Sequence, residues 1–78
     1  MRQKKSTLII TFATTTQAMA VEKFCQDHEL PGRIIPVPRE ITAGCGLSWK
    51  AAPEDRERLA DALRDGGLGW EEMHIIEI

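Results

Sequence analysis

The stretch RIIPVPREITAGCGLSWKA, Arg33 to Ala51, decides how the chain folds, because it holds two strand-like runs with no helix between them. Arg33-Ile34-Ile35-Pro36-Val37 is apolar and β-branched, but Pro36 cannot donate to a hydrogen-bonded ladder, which confines this strand to a sheet edge. Leu47-Ser48-Trp49-Lys50-Ala51 alternates apolar with polar residues, as a half-buried strand does. Residues 38–46 join the two as a loop.

Upstream, Thr7-Leu8-Ile9-Ile10-Thr11-Phe12-Ala13 contains no breaker and puts Leu8, Ile10 and Phe12 on one face of a first strand. Thr14, Thr15 and Thr16 offer hydroxyls for a helix N-cap, after which Ala18, Val21, Phe24, Cys25 and His28 recur at helical spacing. Pro31-Gly32 predicts the end of this helix near Leu30. Downstream, Pro53 suits the first turn of a second helix, Glu54 and Asp55 suit its positive end, and Arg56, Leu59, Ala60 and Leu63 mark its inner stripe. Gly66, Gly67 and Gly69 close it, and residues 72–78 read as a last strand.

Strand, helix, strand, strand, helix, strand is the βαββαβ order of an α+β, ferredoxin-like split βαβ sandwich, a four-stranded antiparallel sheet with two helices on one face. A small open α/β sheet of different strand order is the alternative. In the ferredoxin-like arrangement strands one and three are central and strands two and four are edges. Chain direction reverses at each element, so Thr14–Thr16, Pro38–Gly46 and Gly66–Gly69 gather at one end of the sheet.

With 78 residues, 42% of them hydrophobic, the chain can bury one core, so residues 1–78 are expected to form a single domain. A net charge of -2 leaves no excess of cations for a nucleic-acid backbone, and Arg2, Lys4 and Lys5 make only a small basic tip. Leu8-Ile9-Ile10 is broken by Thr11 without a following cleavage site, and no apolar run could cross a bilayer, so a cytoplasmic protein without a membrane partner is expected. In that reducing compartment the two cysteines are expected as free thiols. Cys25, His28, Cys45 and His74 lack metal-ligand spacing, and neither metal nor cofactor is expected. The sheet face away from the helices keeps some apolar residues that a second copy would cover in a homodimer.

Cys45 stands between Gly44 and Gly46, where it has little side-chain cover and a backbone free to take positive φ. A thiol acts as a nucleophile only when ionised, and an unperturbed one has a pKa of about 8.5. A helix terminus supplies roughly 0.3–1 kcal/mol against the 1.4 kcal/mol or so that one pKa unit requires. The helix-opening amides at Thr15 and Thr16 would therefore need help from Arg39, from Thr42 and from loop amides. On the residues alone, an inert cysteine in a tight turn competes evenly with this reading.

The run Ile34-Ile35-Pro36-Val37-Pro38-Arg39-Glu40-Ile41-Thr42-Ala43-Gly44-Cys45-Gly46-Leu47, with Ile9-Ile10-Thr11-Phe12 and the threonines leading to Ala18-Met19, resembles the family of selenium/sulfur carrier-like proteins. The resemblance covers most of the chain and implies a small bacterial protein that holds sulfur or selenium on Cys45. Thr42 stands where relatives often carry serine. It also implies a sulfur or selenium donor, such as a cysteine desulfurase, an acceptor protein, and a carrier rather than an enzyme. Two other classes stay open: a small-molecule-binding regulatory module, and a thiol redox switch.

Cys25 falls on the inner helix face, where a cysteine acts as a small apolar side chain. Trp49, on the third strand, reads as filling either the core or the sheet face away from the helices. Trp70, beside the glycine turn, reads as turn packing with a possible role near the sulfur, while His28 reads as structural and His74 has no role assigned.

Overall fold

The computed structural model describes residues 5–41 and 45–78. Strands β1 (Ser6–Thr11), β2 (Arg33–Pro36), β3 (Leu47–Ala51) and β4 (Glu72–Glu77) form one antiparallel sheet in the order β2-β3-β1-β4. Helix α1 (Thr15–Asp27) joins β1 to β2, and a 3₁₀ turn, Pro53–Asp55, runs into α2 (Arg56–Asp65) between β3 and β4. This is the ferredoxin-like α+β arrangement, with Pro36 on an edge strand as its missing N–H demands.

Alternation along β1 sorts the sheet into two faces. Leu8, Ile10 and Phe12 join Trp49 and Ala51 from β3, Ala18, Val21 and Cys25 from α1, and Leu59 and Leu63 from α2 in one core. Both helices therefore cover the same face, and each fully buried Leu, Ile or Phe there stabilises the fold by roughly 1.5–3 kcal/mol. Ile9, Thr11 and Ser48 point the other way and are nonetheless inaccessible in the single chain. The centre of the uncovered face is thus already buried, leaving half-buried Ile35 and Ile76 at its flanks.

Helix α1 stops before Leu30. Its end is a Schellman motif, with the N–H of Leu30 donating to the Cys25 carbonyl at 2.8 Å, the N–H of Glu29 donating to Gln26, and Glu29 at φ 54. Helix α2 ends the same way, Leu68 donating to Leu63 at 2.8 Å, but here Gly67 takes the positive φ at no steric cost. The inner stripe of α1 is narrower than its periodicity implies: Phe24 is half-buried and His28 exposed, their rings stacked 4.1 Å apart beside the core. Arg56 likewise lies outside the α2 stripe and is exposed. Strand β1 ends at Thr11, because the Thr11 carbonyl and hydroxyl are taken by the N–H groups of Glu71 and Glu72 while the Ala13 N–H turns to the Gln17 side chain.

Candidate functional site

The sheet register fixes which loops share an end. Pro36 faces Leu47, and Thr11 faces both Ser48 and Glu72, so the β1–α1, β2–β3 and α2–β4 connections all emerge together. Their contacts tie this end of the sheet. The Val37 N–H donates to the Gly46 carbonyl at 2.9 Å, closing the base of the β2–β3 loop. The Glu71 N–H donates to the Thr11 carbonyl at 2.7 Å, and a side chain built on Gly69 would stand 3.1 Å from the Gln17 amide at the start of α1.

Cys45 belongs to this end. It is a free, half-buried thiol packed against the rim of the core that also takes in Leu47, Leu68 and Trp70. Its Sγ–H donates to the Leu47 carbonyl, Sγ lying 3.7 Å from the oxygen. Gly46 takes φ 80, with no atom within 4 Å of where a Cβ would stand. Backbone conformation, not lack of room, therefore calls for glycine next to the sulfur. The result is a half-buried thiol hydrogen-bonded to its own loop, next to a glycine in the left-handed region.

The residues expected around the sulfur are distributed as follows. Arg39 is exposed on the turn that the Ile41 N–H closes onto the Pro38 carbonyl at 3.0 Å, and it makes no ion pair among the described residues. Thr15 and Thr16 are exposed in the first turn of α1. Thr14 is the cap: its hydroxyl accepts the Gln17 N–H at 3.1 Å while the Gln17 side chain accepts the Ala13 N–H at 2.9 Å, a reciprocal lock on the helix start. Thr42 and Gly44 lie outside the described residues. Trp70 is half-buried under the Arg64 guanidinium, 5.7 Å from its ring centroid, a cation–π contact that no local sequence pattern announced.

Cys25 shows the opposite environment. It is fully buried in the helix-side core, and burial pushes its thiol up to about 11, so it stays protonated near neutral pH. His74 is on β4 level with Ile9, its Nε2 3.2 Å from the Glu72 carboxylate. No group of metal-binding side chains occurs among the described residues, and none of the described helices is long and apolar enough to cross a membrane.

The fold and site together define a ferredoxin-like α+β sandwich with one free cysteine buried in its core and a second, half-buried one on the β2–β3 loop. The family model described as "Putative Se/S carrier protein-like" matches residues 7–75, nearly the whole chain. The chain belongs to that family. No curated protein and no solved structure matches it.

Proposed function

We propose that the protein carries sulfur or selenium as a persulfide or selenopersulfide on Cys45 and passes it between partner proteins in the cytoplasm. The observation that carries this reading is the contrast in access within a carrier-family chain: Cys45 is reachable on its loop, and the other thiol, Cys25, is sealed in the core.

The chemistry is a pair of displacements. Ionised Cys45 attacks the outer chalcogen of a donor persulfide, such as that of a cysteine desulfurase; the donor's S–S or S–Se bond breaks as the new one forms, and the donor thiolate leaves. An acceptor thiolate later attacks the same outer atom and expels Cys45 as thiolate. No external oxidant or reductant enters either step. The loaded form is an anion near neutral pH, and Arg39, Thr42 and the amides at Gly44, Gly46, Thr15 and Thr16 are the groups from which stabilisation would come.

Intact-mass measurement after incubation with a cysteine desulfurase and cysteine, or with a selenium donor, tests the assignment. The expected product gains one chalcogen atom, loses it on reduction, is absent in Cys45→Ala and persists in Cys25→Ala. Loading on Cys25, or none on a chain whose Cys45 alkylates readily, would refute it. A redox switch would instead form a sulfenic acid or disulfide with peroxide and need no chalcogen donor.

A further inference from the structure

We infer that the protein has a second binding site, for a small phosphate- or diphosphate-bearing molecule, in the cleft formed by Lys5, Arg33 and Lys50 at the end of the sheet away from Cys45. The three cations are far apart in sequence and only the register unites them. Arg33 pairs with Lys50 and Lys50 with Ile9, so both side chains stand on the face without helices, and Lys5 lies on that face by alternation with Thr7 and Ile9. Together with Ser6, Thr7, Gly32 and Ile78, whose backbone pairs with that of Lys5, they line a cleft of about 460 Å³.

The charge of this cleft is opposite to that of the molecule. The chain as a whole is at -2, yet no acidic side chain lines the cleft, and none of the three cations makes an ion pair among the described residues. Residues 1–4 and 42–44 contain no carboxylate side chain that could neutralise them, and the adjoining Arg2 and Lys4 are cationic. The nearest acid on that face, Glu72, sits level with Thr11 at the other end of β1 and meets His74; Glu77, level with Ser6, belongs to the helix-side face. The carboxylate of Ile78 at the cleft can offset one of the three positive charges, and a bound polyanion offsets the remainder.

The geometry favours a small ligand over a nucleic-acid strand. Single-stranded binders combine a track of cations with aromatic platforms for stacking bases. Here the three cations line a single cleft at one end of the sheet rather than a track, and the ring on that face, His74, stands level with Ile9 and is held by the Glu72 carboxylate.

Titration of the ¹⁵N-labelled chain with inorganic pyrophosphate, at ionic strength held constant with chloride, tests the site. Amide shifts are expected to saturate and to concentrate at Ser6, Thr7, Gly32, Arg33 and Lys50. Arg33→Gln and Lys50→Gln, both on accessible side chains, should each weaken binding by about fivefold or more without changing the melting temperature. Cys45→Ala should bind unchanged, so this site and the carrier reading can fail separately. Shifts that stay linear, or spread over the whole surface, would overturn the site. So would a single-stranded oligonucleotide or an acidic peptide that binds far more tightly than pyrophosphate and perturbs the entire face.

Discussion

Cys25 and Cys45 are the same side chain in two solvents. Cys25 sits where α1 meets the sheet, between Val21 and the Schellman turn that its own carbonyl helps to close, and every neighbour that excludes water also penalises its charged form. Cys45 sits at the rim of the same core, one side against hydrocarbon and the other toward solvent, on a segment whose conformation is set by a glycine. Packing made the first a structural residue. The second is only partly packed against that core, because it stands on the β2–β3 connection at the sheet end where three loops meet.

The largest expected difference is kinetic. Under native conditions near neutral pH, iodoacetamide should label Cys45 at least about a hundredfold faster than Cys25, since the rise to about 11 alone removes roughly two orders of magnitude of thiolate relative to an ordinary thiol, before any barrier to opening is counted. Peptide mapping of partly labelled protein reads the ratio directly. Comparable rates would mean that the two environments are not distinct.

Alkaline pH should sharpen the contrast from the stability side. Below the ordinary value of 9.0 both folded and unfolded chains keep Cys25 protonated, and its contribution is complete. Between 9.0 and about 11 only the unfolded chain releases the proton, so stability falls as pH rises through that window. The loss should be on the order of 2 to 3 kcal/mol by denaturant unfolding across the whole window, should be absent from Cys25→Ala, and should therefore appear in full in the difference between the two proteins. An identical alkaline slope in both proteins would break the assignment.

A smaller effect belongs to the loop. Gly46→Ala meets no steric obstacle but must hold φ 80, which should lower stability by about 1 kcal/mol, with Gly46→Asn recovering part of it. Equal stability of all three proteins would show that the loop does not require this backbone conformation.

The element order and the edge positions of β2 and β4 were legible because they rest on local signals: alternation in Leu47–Ala51, Pro36, and the apolar run Leu8–Ile10. The burial of Cys25 followed from helical spacing for the same reason. Periodicity overreached where a helix ended on a backbone motif rather than on a breaker, since nothing local shows that Glu29 adopts φ 54 or that Phe24 and His28 stack at the margin. The cap fell to Thr14 rather than Thr15 or Thr16 because Gln17 lies three residues beyond it and can close the exchange. Arg64 over Trp70 and the Lys5–Arg33–Lys50 cleft depend on tertiary approach and register, which join residues that no sequence window contains.

The placement of the two tryptophans gives the molecule its own optical readout. The chain has no tyrosine, so its near-ultraviolet emission comes from two indoles, one inside the core with its N–H bound to the Pro31 carbonyl at 3.0 Å and one half-buried beside the Cys45 loops. Replacing Trp49 with phenylalanine leaves Trp70 as a lone fluorophore at the Cys45 end of the sheet, where its colour and quenching can follow events at the sulfur without an attached dye.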